Sequence, residues 1–181
     1  MRLFVAVDIP EALRDAIESE VVEPLRDCVP GARWTQPEGR HLTLKFLGRV
    51  EDDRVDGIAE ALRRAAAFHE PFDASFAEIG GFPNLGRPRV LWIGVEQGGE
   101  QLSNLAGTVE AELEALGFEA EGRAFRGHLT LARFARPKRI DVPEIELRLD
   151  PFPVGEIVLF ESRLHPKGAR YSALERFPLR A

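Results

Sequence analysis

The chain has 181 residues, of which 44% are hydrophobic and 30% are charged, and its net charge is −6 at pH 7. These values are typical of one soluble globular domain or two small interlocked lobes, and the negative charge argues against a surface that coats nucleic acid broadly. A single cysteine, Cys28, excludes an internal disulfide framework and a zinc site built from several cysteines.

The first half of the chain predicts strands and helices in alternation. Apolar spacing predicts a strand at residues 2–7 and an amphipathic helix from residue 11 to about residue 28. A polar segment then leads to the tetrapeptide His41-Leu42-Thr43-Leu44, whose alternation predicts a strand. Acidic residues open a second helix over residues 51–68, and alternation predicts another strand over residues 72–79.

The second half repeats this order. A loop rich in glycine and proline at residues 80–88 precedes a strand at residues 89–94 and a helix at residues 100–116. The tetrapeptide then returns as His128-Leu129-Thr130-Leu131. Roughly seven to nine strands and three or four helices favour an α+β protein with antiparallel sheets over a doubly wound parallel sheet. The strand total includes three late apolar stretches, at residues 145–149, 154–164 and 170–179.

The order strand, helix, polar segment and motif strand recurs in register. The second tetrapeptide follows the first by 87 residues, and the same offset without a gap places residues 2–7 on residues 89–94. We interpret the chain as one two-lobed domain of residues 1–181 with an internal repeat at about residues 2–48 and 89–135, whose halves face each other across a pseudo-twofold axis. The generic alternation of strands and helices in α/β proteins is the simpler alternative.

Each tetrapeptide presents an imidazole and a hydroxyl on one face of its strand. Side chains alternate along a strand, so the His and Thr share one face, and both Leu share the other face, which suits a core. Because the unperturbed pKa of His is about 6.5, two such faces brought together provide one imidazole that accepts a proton and one that donates it. Phosphodiester cleavage needs this pair, together with donors for the non-bridging phosphate oxygens.

Candidate phosphate donors are the hydroxyls of Thr43 and Thr130 and two arginines near the second motif. Arg126 precedes His128 by two residues and therefore has the parity to face the same way. Arg133 follows His128 by five residues, so it would face the other side of the strand unless a bulge or twist intervenes. It nevertheless lies at the end of the same strand, next to the motif. No ligand cluster accompanies the histidines, so we expect neither a metal ion nor another cofactor.

The paired motifs and their surroundings resemble the RNA 2′,3′-cyclic phosphodiesterases, also called 2′-5′ RNA ligases, of the two-histidine phosphoesterase superfamily. The resemblance covers nearly the whole chain. The strings that carry it are RLFVAVD at residues 2–8, RWT at 33–35, HLTLKFLG at 41–48, PRVLW at 88–92, FRGHLTLAR at 125–133 and LFESRL at 159–164.

The resemblance implies a bilobal α+β fold, in which two antiparallel β-sheets with helices outside them face a central cleft that carries both motifs. It implies metal-independent hydrolysis of an RNA-terminal 2′,3′-cyclic phosphate to a 2′-phosphomonoester, with His41 as proton donor and His128 as proton acceptor. Arg133 matches the family's phosphate-contacting arginine. RNA ends or nucleoside 2′,3′-cyclic phosphates would be the substrates, and we expect a monomer without an obligate protein partner.

Other interpretations of these residues stay open. The same site could join RNA ends through a 2′-5′ linkage, or the fold could be a non-catalytic module that binds RNA or nucleotides. Trp34 and Phe46 could stack a nucleobase, although core or cleft-wall positions are the simpler interpretation. The motif His and Thr residues could be structural, and Arg126 and Arg133 could pair with surface carboxylates. The sequence has no signal segment and no apolar run of membrane-spanning length, which favours a cytoplasmic location.

Overall fold

Two four-stranded antiparallel sheets carry the fold of the computed structural model, which describes residues 1–181. The first sheet is built, from edge to edge, of β10 (Arg170–Pro178), β9 (Glu156–Arg163), β1 (Arg2–Val7) and β3 (Leu42–Arg49). The second is built of β2 (Arg33–Trp34), β7 (His128–Arg133), β6 (Val90–Val95) and β5 (Phe76–Phe82). A short third sheet pairs β4 (Phe72–Ala74) with β8 (Phe152–Val154). The predicted α+β class with antiparallel sheets is confirmed.

Helices form where the apolar spacing predicts them. The first helix consists of α1 (Glu11–Ile17), a π-helical turn at Glu18–Val22 and α2 (Glu23–Arg26). The two longer helices are α3 (Val55–Ala67) and α4 (Gly99–Glu114). Their buried faces and both large sheets contribute to one cluster of 40 buried residues, so the two halves share a single core.

Two strand predictions differ from the structure. Residues 72–79 are divided at Ser75 into β4 and β5, which join different sheets, because the backbone of Ser75 exchanges hydrogen bonds with Glu96 and Gln97. Residues 145–149 form no strand, although their apolar side chains pack on the core. The structure has ten strands in all, more than the sequence predicts, because three of them are only two or three residues long.

Both motif strands carry a β-bulge at the same place. Leu44, directly after Thr43, is an extra residue in the pairing of β3 with β1. Leu131, directly after Thr130, is an extra residue in the pairing of β7 with β6. A bulge bends its strand and changes which side chains share a face beyond it. In both motif strands, the residues after the bulge therefore exchange the two faces of the sheet relative to strict alternation.

The first strands of the two halves correspond after a shift of one residue. Ala6 lies opposite Thr43, and Trp92 lies opposite Thr130. The gapless offset of the sequence comparison instead aligns Val5 with Trp92. The motif strands of the two halves therefore correspond at the offset of 87 residues. The strands β1 and β6 correspond at an offset that is one residue shorter.

Candidate active site

The bulge at Leu131 brings Arg133 onto the face of the second sheet that carries His128 and Thr130. These three residues lie opposite every second residue of β6, namely Val90, Gly94 and Trp92. Alternate residues of a strand point to one side, and directly paired residues share that side. The opposite parity of Arg133 in the sequence is therefore compensated by the extra residue in the strand.

Arg133 is also the residue that couples electrostatically to both motif histidines. Its positive charge lowers the pKa of His41 and the pKa of His128. The two motif strands, β3 and β7, also contact each other. The guanidinium and the two imidazoles are therefore brought into one region, to which each half of the chain contributes a motif.

His41 lies among aromatic rings, directly before β3. Its ring stacks on Phe4 with 4.7 Å between centroids and on Phe160 at 5.7 Å, and the ring of Tyr171 packs against it edge-on at 5.2 Å. Tyr171 can occupy this position because residue 39 is a glycine. A Cβ atom at Gly39 would come within 2.9 Å of the tyrosine ring. These contacts fix the plane of the imidazole and exclude much of the surrounding water.

Neighbouring charges both raise and lower the pKa of His41. Burial lowers the pKa of His41 from 6.5 to about 4, Asp8 raises it, and Arg14 and Arg133 lower it. Asp8 is itself held by ion pairs with Arg14 and, at 3.3 Å, with Arg176. The imidazole is therefore neutral at pH 7 in the protein alone, and added negative charge beside it favours its protonation.

Phe46 occupies the position in β3 that corresponds, at the offset of 87 residues, to Arg133 in β7. After the bulge in β3, it lies opposite Phe4, on the side of the sheet where Phe4 stacks on His41. The Phe46 side chain is 67% exposed, and its ring centroid is 6.0 Å from that of Phe4. An exposed aromatic ring beside a candidate catalytic residue can stack a nucleobase.

The backbone orients one nitrogen of His128. Nδ1 lies 2.8 Å from the carbonyl oxygen of Arg126, and because a carbonyl only accepts, Nδ1 carries the hydrogen and donates it. Nε2 of the neutral ring keeps its lone pair. Burial lowers the pKa of His128 below 6.5, the bond to Arg126 raises it, and Arg133 lowers it. A neutral imidazole with a free Nε2 is the form that a general base requires.

The Arg126 side chain packs along the wall of the site and is engaged by other residues of the protein. Its guanidinium lies 4.7 Å from the ring centroid of Trp92 and pairs with Glu78 at 2.7 Å. The ring of Trp92 lies across two glycines of neighbouring strands, because Cβ atoms at Gly80 and Gly94 would come within 2.2 and 2.9 Å of it. The guanidinium therefore pairs with a surface carboxylate, the alternative interpretation of the sequence, while the Arg126 carbonyl orients the second histidine.

The structure does not bring Trp34 to the face with the histidines. Trp34 pairs with the buried Ala132, whereas its neighbour Arg33 pairs with Arg133. Adjacent strand residues point to opposite sides, so Trp34 is turned towards the core, where its ring packs. The guanidinium of Arg26 lies 5.7 Å from its centroid. The nucleobase-stacking option for Trp34 is therefore corrected to a core position.

Thr35 and Arg40, to which the sequence assigned no role, connect the two motif strands. The hydroxyl of Thr35 lies 3.0 Å from the carbonyl oxygens of both Thr130 and Leu131, and its N–H donates to Leu131 at 2.8 Å. The buried guanidinium of Arg40 donates to the Thr35 carbonyl at 2.9 Å and to Glu18 at 2.6 Å. Thr35 and Thr130 are 95 positions apart, so no local spacing indicates this contact.

The assembled groups are suited to proton transfer and anion binding. Two imidazoles, one guanidinium and the motif hydroxyls provide acid, base and phosphate donors. No three side chains of His, Cys, Asp or Glu in the chain are grouped to hold a metal ion. The helices of the structure fall short of the length and apolar character needed to cross a membrane.

Comparison with known proteins finds relatives over the whole chain. A family model described as LigT-like phosphoesterase matches residues 7–92 and 93–171, and each match contains one tetrapeptide. An RNA 2′,3′-cyclic phosphodiesterase of Archaeoglobus fulgidus is 38% identical over 98% of this chain and 99% of its own length.

Two solved structures share the fold over nearly their full length. A protein of Thermus thermophilus superimposes with a TM-score of 0.82 at 34% identity and covers 99% of this chain and 98% of its own. E. coli LigT, in complex with 3′-AMP, superimposes with a TM-score of 0.83 at 26% identity and covers 98% of this chain and 97% of its own.

Proposed function

Because this chain belongs to the LigT-like phosphoesterase family, we propose that it hydrolyses the 2′,3′-cyclic phosphate at the end of an RNA strand to a 2′-phosphomonoester. The observation that carries the proposal is the position of Arg133, on one face with His128 and Thr130 and within electrostatic reach of His41. Two imidazoles and one guanidinium are the acid, base and phosphate donor that cleavage of a phosphodiester needs.

His128 acts as the base and His41 as the acid. Nε2 of His128 takes a proton from water as the water oxygen bonds to phosphorus. The bond from phosphorus to the 3′ oxygen then breaks, and its electron pair stays on that oxygen, which receives a proton from His41. The products are a 3′-hydroxyl and a 2′-phosphate, and proton exchange with solvent restores both imidazoles. No metal ion is required, because proton transfer and the phosphate donors cover its tasks.

The substrate itself helps to protonate His41. Burial holds the imidazole neutral in the protein alone, while Asp8 favours the charged form. A cyclic phosphodiester brings one further negative charge to the same place, and an opposite charge within a few ångströms favours the protonated imidazole. The proton donor is thereby charged when substrate is bound.

Thr43, Thr130 and Arg133 hold the non-bridging oxygens of the phosphate. The guanidinium offers paired N–H donors that fit two phosphate oxygens, and the hydroxyls each donate one hydrogen bond. Such donors matter most in the transition state, where charge builds on these oxygens. Phe46, exposed beside the Phe4 ring that stacks on His41, binds the terminal base by stacking.

The proposal is tested with adenosine 2′,3′-cyclic phosphate and the variants His41→Ala and His128→Ala. We expect each variant to lower kcat by about a hundredfold or more, which is the usual contribution of a general acid or base. The double variant should be little worse than the worse single variant, because the pair acts as a unit.

His165→Ala is the matched control, since His165 lies in a turn outside both motifs and accepts a hydrogen bond from the N–H of Lys167. Its kcat should stay within about twofold of the wild type. Near wild-type turnover in either motif variant would remove that histidine from the mechanism. Tight binding of the cyclic nucleotide without any turnover would identify a binding module instead, and 2′-5′ joined RNA as the main product would identify a ligase.

A further inference from the structure

Five stretches of ten or more residues contain no Asp or Glu, in a chain with 30 acidic residues. Three of them, residues 28–37, 79–95 and 122–140, contain strands of the second sheet. These three stretches hold nine of the 24 Lys and Arg residues. The negative net charge of the whole molecule therefore does not describe these segments, which are purely cationic.

The fold gathers the three stretches at the second sheet. They contain β2, β7 and β6, which are three consecutive strands of that sheet in this order. Beyond β7 the chain runs alongside the loop that precedes β6. The N–H of Phe134 donates to the carbonyl of Arg89 at 2.8 Å, and the N–H of Ile140 donates to the carbonyl of Gly86 at 3.2 Å. Cationic residues that are distant in sequence thus form one surface.

We call this surface the basic end and define it by five exposed arginines, Arg33, Arg87, Arg89, Arg136 and Arg139. None of the five takes part in any of the ion pairs of the chain. Elsewhere the arginines of the helices and of the first sheet commonly pair with carboxylates, as Arg63, Arg64 and Arg176 do. The basic end is a positive surface without internal compensation.

The basic end continues directly from the proposed active site. Arg33 lies opposite Arg133 in the pairing of β2 with β7, so both side chains are on the side of the sheet that carries His128. Arg33 therefore lies beside Arg133, the arginine of the proposed site.

The chemistry of the surface fits phosphates better than a protein partner. The large apolar side chains that are exposed all lie outside the three stretches. Protein interfaces have aromatic and apolar residues at their centre, which this surface lacks. Unpaired arginines bind the phosphates of a nucleic-acid strand, where displacement of counterions supplies the binding free energy.

We propose that the basic end binds the phosphodiester backbone of the RNA strand that leads to the terminal cyclic phosphate. The inference rests on the proposed function and narrows its substrate class to an RNA strand of several nucleotides. The site of Arg133 and the two histidines acts on the last phosphate, and the basic end holds the phosphates that precede it.

Two substrates and three variants test the inference. The substrates are adenosine 2′,3′-cyclic phosphate and a single-stranded RNA of about ten nucleotides that ends in a 2′,3′-cyclic phosphate. The variants are R87Q/R89Q, R136Q/R139Q and the matched control R2Q/R49Q. Arg2 and Arg49 are exposed, lie opposite each other at the far end of the β1–β3 pair, and form no ion pair.

We expect each variant of the basic end to lower kcat/KM for the RNA by about fivefold or more in low salt, while kcat/KM for the mononucleotide stays within about twofold. The plot of log kcat/KM against log salt concentration should become shallower by about 0.7 for each phosphate contact that is lost. R2Q/R49Q should leave both substrates and the slope unchanged.

Three outcomes would overturn the inference. These are an unchanged RNA activity in both variants, an equal loss on both substrates, or an equal loss in the control variant. Inhibition by polyglutamate as strong as inhibition by an RNA with a 3′-hydroxyl end would point to an acidic polypeptide instead. If the wild type hydrolyses neither substrate, the proposed function fails. The inference is then tested separately by the fluorescence anisotropy of labelled RNA, which should show weaker binding by the basic-end variants than by the wild type and R2Q/R49Q.

Discussion

The two motif histidines have the same sequence context but different surroundings. His41 is stacked among aromatic rings next to the carboxylate of Asp8, and burial lowers its pKa to about 4. His128 has its Nδ1 hydrogen committed to a backbone carbonyl, which leaves Nε2 as an acceptor. The two motifs by themselves present equivalent candidates, and the family resemblance implies His41 as the donor and His128 as the acceptor. Their three-dimensional neighbours support this proposal, because they suit His128 to act as a base and His41 to act as an acid that depends on substrate charge.

These surroundings predict the pH dependence of the reaction. Burial lowers the pKa of both imidazoles below 6.5 in the free enzyme, that of His41 to about 4. We expect a bell-shaped profile of kcat/KM whose two limbs both lie below pH 6.5, with rising activity near pH 4. Bound phosphate raises both pKa values, so the bell of kcat should be displaced to higher pH. The limbs report the pair and not either residue alone.

Initial rates between about pH 3.5 and 9 check this prediction. Because kcat/KM reports the free enzyme and kcat the substrate complex, both are measured in the same series. A kcat/KM profile that is flat across this range, or centred above pH 7, would contradict the surroundings described for the two histidines.

The phosphate donors can be separated from the acid and base by substitution. We expect Thr43→Val, Thr130→Val and Arg133→Met each to lower kcat by about tenfold or more while the fold survives, because Val keeps the β-branched shape of Thr without its hydroxyl. Steady-state kinetics and thermal unfolding provide the measurement. A raised KM with unchanged kcat would show that these residues hold the ground state only.

At the scale of single elements, the bulges at Leu44 and Leu131 decide which residues meet. Strict alternation along the motif strands places His and Thr together correctly, but it places Arg133 on the wrong face. The extra residue in β7 reverses that parity. Alternation is a local property and could be predicted, whereas a bulge depends on the partner strand. The same limit applies to Trp34, whose face is set by its pairing with Ala132.

The second bulge is held by Thr35, which yields a prediction for a residue remote from the phosphate. Thr35→Val removes the hydroxyl that lies 3.0 Å from the carbonyls of Thr130 and Leu131, on either side of the bulge. We expect kcat to fall about tenfold with KM nearly unchanged, because the donors of this strand lose their fixed position. Thr35→Ser restores the hydroxyl and should recover most of kcat.

Thr108→Val is the control for a purely structural effect. The hydroxyl of Thr108 lies 2.8 Å from a ring nitrogen of His69, between α4 and the end of α3, so a comparable hydrogen bond is lost far from the motifs. Both threonine variants are expected to lose about 1 kcal/mol of unfolding free energy. An equal loss of kcat in the two variants, or no rescue by serine, would mean that Thr35 contributes stability alone.

At the scale of the whole molecule, much of the fold and the centre of the site could be predicted from the sequence. The helices and most strands follow from local apolar spacing, and the duplicated tetrapeptide indicates the paired histidines. The contacts of Thr35 and Arg40 and the aromatic rings around His41 could not be predicted, because they join residues from different elements. The splitting of residues 72–79 at Ser75 likewise depends on a distant hydrogen-bonding partner.

The duplication itself stays a proposal. We propose that residues 1–181 form one two-lobed unit with repeats at about residues 2–48 and 89–135. The recurrence of the bulge after both motif threonines supports this, as does the core shared by both halves.

The central claim is that two histidines, without a metal ion, open a 2′,3′-cyclic phosphate. Phosphorus NMR of adenosine 2′,3′-cyclic phosphate, incubated with the wild-type protein in excess EDTA, tests it most directly. The cyclic phosphate signal should be replaced by that of the 2′-phosphomonoester at the same rate as without EDTA, and His41→Ala and His128→Ala should leave the cyclic signal almost unchanged. Loss of activity in EDTA that is restored by added zinc, manganese or magnesium, or a 3′-phosphomonoester as the main product, would contradict the mechanism.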